Sequence, residues 1–448
     1  MSTSETVACD APITVIEPLA KPLRGTVRVP GDKSISHRAV LFSAMAEGAS
    51  HLSGVLDSAD VRSSIGAVRA LGAEVSLEKQ PDGSLAGEVT GWGELGPAQP
   101  EGPIDCGNSG TTVRLLMGVL APWGVSADLT GDASLRRRPM RRIADPLELM
   151  GARFSPAGAK TLPLTIEGTR SLAALNYDSP VASAQLKTAI MLAGIFASGT
   201  TSVHEPAPSR NHTELMLPGF GVRVEASPGE ASVAGGQKLH ACDVDVPGDP
   251  SSAAFIACAA ALRPESAVAI ENVSLNPARI GFVRVLERMG ADVSTTPTGA
   301  TGEEPCGTVS VAYTPRLHSC EIEGREIASL VDEIPVLALV AAHAEGETVF
   351  REAGELRVKE TDRLAAIIDG LSLIGVHAWA EGDDLHIEGK PGLAVPEGVL
   401  FDSLGDHRLA MTWSLVGFTG GVPAKIRDFE AVRVSYPNFR VDIERLAE

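Results

Sequence analysis

One pattern returns six times along this chain and restricts the fold more than any single motif. An Ala/Leu-rich run is followed by a polar or glycine break and then by a β-like run. The copies are "VLFSAMAEGASHLSGV", "RLLMGVLAPWGVSADLTG", "AIMLAGIFASGTTSVHE", "AFIACAAALRPESAVAIENV", "LALVAAHAEGETVFREA" and "MTWSLVGFTGGVPAKIRDF". Break glycines stand at Gly48, Gly124, Gly199, Gly346 and Gly421, at spacings of 76, 75, 147 and 75 residues. The long interval holds the fourth copy, whose break "RPES" has no glycine. A second element lies between: "VRALGAEV", "LELMGARF", "LPGFGVRV", "LERMGADV" and "LSLIGVHAW" each read as a helix end, a glycine and a strand start. Glycine suits that place because the residue after a helix commonly takes a positive φ. Six copies of one β/α unit of about 75 residues are expected, three to a domain.

A chain of 448 residues exceeds what one core usually serves, so two domains agree with the repeat. Apolar residues make up 44% and aromatics only 4%, beside 46 Gly and 30 Pro. The core is therefore expected from Ala, Val, Leu and Ile in α/β layers. A net charge of −19 repels polyanions and argues against nucleic acid or an anionic membrane as partner. The cysteines Cys9, Cys106, Cys242, Cys258, Cys306 and Cys320 form no C-x-x-C pair and are expected as reduced thiols. No apolar run reaches the roughly 18 residues of a membrane span. The start "MSTSETVACDAP" lacks the basic region and apolar core of a signal peptide and reads as a short disordered tail.

The chemistry concentrates just before the Ala/Leu-rich helices, in "GDKSISHR", "GNSGTTVR", "SPVASAQLK", "GDPSSAA", "SLVDEIP" and "SLGDHR". Each places Ser, Gly, Asp or Asn where it can cap a helix. Capping suffices for "GDPSSAA", which has no cation; the other five add Lys, Arg, Gln, Asp or His. A helix N-terminus offers free N–H groups and a partial positive charge, which suit phosphate or carboxylate. Cations recur near these places: Lys33, Arg38, Arg114, Arg138, Lys187, Arg210, Lys359, Arg363 and Arg408. Like charges 4 Å apart repel by about 4 kcal/mol at an effective dielectric near 20, so gathering them is expected to require an anionic ligand. "SLRRRPMRR" alone fits a solvated basic loop equally well. "RVKETDRLAA" alone fits a salt-bridged helix start, and Asp332 is either a cap or a general base. "GNSGTTVR" lacks the G-K-[ST] ending of a nucleotide-binding Walker motif.

Taken in order, "GDKSISHR", "GNSGTTVRL", "RPMRR", "SAQLK", "SRNHTE", "VKETDRL" and "GDHRLAM" resemble the 5-enolpyruvylshikimate-3-phosphate (EPSP) synthase family, from about Pro18 to Leu446. "GDKS", "SAQLK" and "RNHTE" are similar to its class II branch, many of whose members tolerate glyphosate; "NPAR", with Ala278, departs from the usual N-x-T-R. The resemblance implies a two-domain inside-out α/β barrel of six βαβαββ units. Residues 30–247 would form an inserted domain, residues 1–29 plus 248–448 the domain with both termini, and the active site the cleft between them. It implies a transferase of the shikimate pathway, with shikimate-3-phosphate and phosphoenolpyruvate giving EPSP and phosphate. No metal or cofactor is expected, and neither nucleic acid nor membrane; a cytoplasmic monomer is.

Site residues follow from the same resemblance. Lys33 matches the lysine that touches both substrates and shuttles a proton; Ser34, Arg38, Ser183, Ala184, Gln185, Ser209, Arg210 and Lys359 match shikimate-3-phosphate contacts. Asn108, Gly110, Arg138, Gln185, Arg363 and Arg408 match phosphoenolpyruvate contacts, with His407 supporting Arg408. Asp332, which also contacts shikimate-3-phosphate, matches the base for the 5-hydroxyl and Glu360 the acid for the methylene carbon. Val434 stands where many members carry lysine, which removes one expected cation; the sequence leaves open whether Arg433 replaces it. Gly110 is glycine where some tolerant members have alanine. Two rivals remain at this point. The sister UDP-N-acetylglucosamine enolpyruvyl transferase normally has a cysteine in the loop equivalent to Gly131–Pro139, which has none here. An inactive anion-binding homologue would have lost the base or the acid.

Overall fold

A computed structural model describes residues 11–448; Cys9 and most of the expected N-terminal tail lie outside the described residues. The chain divides into two units. One runs to Val29 and resumes over Gly248–Gly299 and Cys306–Glu448; the other comprises Pro30–Pro247 with Ala300–Pro305.

The repeat is a single motif used in both units. In one copy, strand Ile104–Asp105 leads to helix Gly110–Leu120, strand Ser126–Thr130, helix Arg141–Met150 and the hairpin Arg153–Ser155 with Leu164–Glu167. The first two strands are parallel, with Ile104 opposite Leu129, and the hairpin adds antiparallel neighbours, with Leu129 opposite Leu164 and Phe154 opposite Ile166. Parallel neighbours need a crossover, which the helix supplies. The same strand order recurs in four further four-stranded sheets, and a three-stranded sheet completes the set. Three copies take a strand from distant sequence. Val244–Asp245 lies parallel to Ala49–Val55, and Arg24–Arg28 parallel to Ala267–Ser274. Ile13–Ile16 closes antiparallel on Ala424–Arg427. The observed fold is thus five βαβαββ units and a sixth that is one strand short, three to each unit of the chain.

The Ala/Leu-rich helices form the two cores. In the Pro30–Pro247 unit these are Lys33–Met45, Gly110–Leu120 and Ala184–Gly194; in the other they are Pro250–Leu262, Ile334–Ala342 and His407–Gly420. Every residue of Ile334–Ala342 is buried, as are all of Pro250–Leu262 except Leu262. A helix apolar all round is stable only inside, with other elements over it. Small residues let these helices approach: a Cβ on Gly118 would lie 2.3 Å from the Ala189 carbonyl oxygen of the neighbouring helix. The helix-ending glycines behave as expected, Gly72, Gly151, Gly221, Gly290 and Gly375 having φ of 94°, 116°, 81°, 81° and 74°. Gly48, Gly199, Gly346 and Gly421 also take positive φ, whereas Gly124 does not.

Candidate active site

In the Pro30–Pro247 unit, side-chain bonds draw the first turns of the three central helices together. Asp32, Ser109 and Ser183 cap them, accepting from the N–H groups of Ile35, Thr112 and Leu186. From Lys33–Met45, His37 Nδ1 meets Ser64 Oγ at 2.8 Å, and Ser64 meets Thr112 of Gly110–Leu120 at 2.8 Å. Arg38 Nη2 donates to Thr188 of Ala184–Gly194 at 2.8 Å. Between the last two helices, Arg114 donates to Gln185 Oε1 at 2.7 Å, and Gln185 Nε2 to Thr111 at 3.0 Å. Three positive helix ends therefore share one side of the unit, an arrangement that attracts anions.

Lys33 begins the first helix, and its Nζ pairs with Asp60 Oδ2. Ser34 contributes its carbonyl to Arg38 Nη1 at 2.9 Å, and Arg38 Nε donates to Thr213 Oγ1 at 2.8 Å. Burial, partly offset by Glu214 and Asp32, brings the Arg38 pKa down to about 10, so it stays a cation at neutral pH. Arg210, half-buried, lies near enough to act on that charge. Ser183 and Ser209 meet through Glu205: the Ser183 N–H donates to Oε1 at 2.7 Å and Ser209 Oγ to Oε2 at 2.8 Å. Lys187 pairs with the same Glu205 at 2.9 Å and with Glu214 at 2.7 Å. Ala184 opens that helix.

The Gly110 end carries the densest positive charge of this unit. A Cβ there would lie 3.3 Å from both Arg114 Nη1 and Arg138 Nη1, so the two guanidiniums flank the bare glycine. Asn108 Oδ1 accepts from Arg138 at 2.7 Å, while its amide donates to Asp132 at 2.6 Å. Of the five arginines in "SLRRRPMRR", Arg138 is the one on this cluster. Arg136 turns to Thr130 at 2.9 Å, Arg141 pairs with Glu148 at 3.0 Å, and Arg137 and Arg142 are exposed.

In the other unit, Arg363 is the hub. It is 1% exposed and donates to Asp332 at 3.1 Å, Glu360 at 2.7 Å and Asp406 at 2.7 Å. Burial alone would lower its pKa, but Asp406, Glu360 and Asp332 together raise it. Asp406 also caps His407–Gly420, accepting from the Arg408 N–H. Arg408 is 4% exposed, its Cζ lies 5.9 Å from the Phe255 ring centroid, and its Nε and Nη1 have no hydrogen-bond partner. Two guanidinium nitrogens left so in a buried place suit an anion's oxygens. His407 sits beside it, 4% exposed. Lys359 Nζ donates to Glu355 at 2.8 Å. Arg363 thus ties Asp332, just before Ile334–Ala342, to Asp406 at the start of His407–Gly420, and Arg408 lies over Phe255 of the third central helix.

The family model for EPSP synthase (3-phosphoshikimate 1-carboxyvinyltransferase) matches residues 19–443. The chain belongs to the EPSP synthase family. A 3-phosphoshikimate 1-carboxyvinyltransferase of Brevibacillus brevis is 46% identical over 421 residues, covering 94% of this chain and 96% of the relative. One from Coxiella burnetii is 43% identical over 417 residues, covering 93% of each. The solved EPSP synthase of Acinetobacter baumannii superposes with a TM-score of 0.86 at 39% identity, covering 97% of this chain and 98% of that one. The enolpyruvyl transferase NikO of Streptomyces tendae, at 19% identity and a TM-score of 0.76, shares the fold. EPSP synthases are transferases, and so is this chain.

Two sequence expectations need correcting, and one open point is decided. The cations do not wait for a ligand to offset them: Asp60, Glu205, Glu214, Asp406 and Glu355 already stand against Lys33, Lys187, Arg363 and Lys359. "GDPSSAA" does acquire a cation, since Arg279 Nη2 donates to Asp249 and to Ser251, each at 2.9 Å. Arg433 is no replacement for a cation at Val434; it is 72% exposed and paired with Glu430 at 2.6 Å. Asp60 and Glu205, and the pairing roles of Asp406 and Arg279, escaped notice because each finds its partner across a turn or a repeat.

Proposed function

We propose that the chain transfers the enolpyruvyl group of phosphoenolpyruvate to the 5-hydroxyl of shikimate-3-phosphate, giving EPSP and phosphate in aromatic amino-acid biosynthesis. The observation that carries the reading is Arg363, which holds Asp332 and Glu360 on one guanidinium at 3.1 and 2.7 Å. The reaction needs one group to take a proton and another to give one. Asp332 takes the 5-hydroxyl proton. Glu360 delivers a proton to the methylene carbon, which leaves C2 cationic, and the 5-oxygen attacks there. The tetrahedral intermediate then breaks its bond to phosphate and loses a proton from the new methyl carbon, which restores the carbon–carbon double bond in EPSP. Arg138, Arg363, Arg408 and the Gly110 helix end hold the phosphoenolpyruvate charge, with Asn108 and Gln185 setting Arg138 and Arg114. Lys33, Ser34, Arg38, Ser183, Ala184, Gln185, Ser209, Arg210, Asp332 and Lys359 serve shikimate-3-phosphate. Preorganised cations stabilise the departing phosphate without reorganising at the moment of reaction. The working form in this reading is a cytoplasmic monomer, which sedimentation of the purified protein tests.

The experiment is phosphate release from phosphoenolpyruvate with shikimate-3-phosphate or with UDP-N-acetylglucosamine as acceptor. Release with the first alone supports the reading, and release with the second alone overturns it. Asp332→Asn or Glu360→Gln is expected to lower turnover by orders of magnitude while shikimate-3-phosphate still binds. Wild-type-like turnover in both variants removes their assigned roles.

A further inference from the structure

Behind Asp332 lies a buried polar chain to which the proposed reaction gives no part. Glu333, the next residue, is 0% exposed and stands at the N-cap of Ile334–Ala342. Its Oε1 accepts from Ser251 Oγ, also 0% exposed. Ser251 in turn accepts from Arg279 Nη2 at 2.9 Å, and the same nitrogen donates to Asp249 Oδ1, the N-cap of Pro250–Leu262, at 2.9 Å. Arg279 is 1% exposed. It is delivered by a turn that Asn276 folds, its Oδ1 accepting from the Ala278 N–H at 2.9 Å and its carbonyl from the Arg279 N–H at 2.8 Å.

The same segment braces the Asp332 turn from a second direction. The Gly281 N–H donates to the Ser329 carbonyl at 3.3 Å, and Arg284 Nη2 to Ser329 Oγ at 3.2 Å. A Cβ on Gly281 would lie 2.2 Å from Ser329 Oγ, so the two backbones touch with no room for a side chain. Asp332 is thereby held on both sides, by Arg363 at its carboxylate and by Glu333–Ser251–Arg279 at its backbone. Four buried polar side chains are costlier than an apolar core, and they hold together through the bonds above although Glu333 Oε2 and Arg279 Nε have no hydrogen-bond partner.

We propose that Ser251, Arg279 and Glu333 are positioning residues that fix the turn carrying the base Asp332. The inference rests on the reading of Asp332 as that base. Such a group must stand within hydrogen-bond reach of the proton it takes, and a misplacement of about 1 Å can cost about 10²-fold. Loosening the chain should therefore lower kcat and leave substrate binding nearly alone.

The test is a double-mutant cycle on the full chain. Ser251→Ala removes one hydroxyl, and Glu333→Gln keeps the shape and an acceptor; a thermal melt shows that each is folded. Each single variant is expected to lower kcat about 10-fold or more, with KM for both substrates within about twofold. In an Asp332→Asn background neither should lower the residual rate further, because there is no base left to misplace. Equal losses in both backgrounds would make the chain merely structural and overturn the proposal. Unchanged kcat in folded Ser251→Ala and Glu333→Gln would overturn it too. Asp332→Asn alone judges the underlying reading: wild-type-like turnover there refutes the base, whatever the other variants do.

Discussion

Adding one methyl at Gly110 separates anion binding from folding. A Cβ there would stand 3.3 Å from Arg114 Nη1 and 3.3 Å from Arg138 Nη1. Both neighbours are ends of long side chains, so each can retreat by a few tenths of an ångström. The retreat disturbs Arg114 on Gln185 at 2.7 Å and Arg138 on Asn108 at 2.7 Å, and draws two donors off the helix end. A hydrogen bond to a charged group contributes about 1.5–3 kcal/mol. Losing roughly half of one amounts to about 0.8–1.5 kcal/mol, up to about tenfold in affinity. Folding responds in the opposite sense, since alanine favours a helix over glycine by up to about 1 kcal/mol. Gly110→Ala is therefore expected to raise KM for phosphoenolpyruvate several-fold, up to about tenfold, change kcat little, and leave Tm equal or higher. Steady-state phosphate release against phosphoenolpyruvate, with a thermal melt, measures both. An unchanged KM in a folded variant would show that the flanked helix end does not receive the phosphate.

Arg408→Gln should raise KM for phosphoenolpyruvate by about 10-fold or more, since charged hydrogen bonds are lost, yet leave Tm unchanged or higher because two of its nitrogens have no internal partner to lose; a lower Tm contradicts this. Gly118→Ala forces a Cβ to within 2.3 Å of the Ala189 carbonyl oxygen and should cost about 1–3 kcal/mol or more in urea unfolding. His37 is held near pKa 3, chiefly by burial, against 6.5 when unfolded. Its lowered pKa means the unfolded chain binds the proton first, so stability is full above pH 6.5 and declines below it, by about 2 kcal/mol at pH 5. Urea unfolding at pH 7 and pH 5 should show this decline shrinking in His37→Asn, and an identical decline in the variant would contradict it.

What the sequence made legible was local. Each copy of the repeat can be read because a helix end, its glycine and the next strand are neighbours in the chain, and Gly72, Gly151, Gly221, Gly290 and Gly375 all take the positive φ their places demand. Helix starts were legible for the same reason: Asp32, Ser109, Ser183, Asp249 and Asp406 each accept from an N–H two or three residues on. Pairing across repeats was not legible. Val244–Asp245 is a strand of two residues, too short to show alternation, and only its parallel partner defines it. Asp406 reaches Arg363 from 43 residues away and Arg279 reaches Asp249 from 30, distances that threefold packing closes and that no local pattern encodes.

The counter-ions change how a cationic site in so acidic a chain should be understood. Nine scattered cations suggested unrelieved repulsion, but the structure sets carboxylates against four of them, Lys33, Lys187, Lys359 and Arg363, so part of the charge is balanced before any ligand arrives. A ligand at those four must displace or outbid the carboxylates, which a singly charged ion does less well than a multiply charged one. A phosphate presents three oxygens and close to two charges, so it can satisfy an arginine fork and a helix end together. Arg408, whose Nε and Nη1 have no internal hydrogen-bond partner, is where an incoming anion would have least to displace. Asp332 and Glu360 balance the charge of Arg363 in the structure, and in the proposed reaction the same two carboxylates move protons.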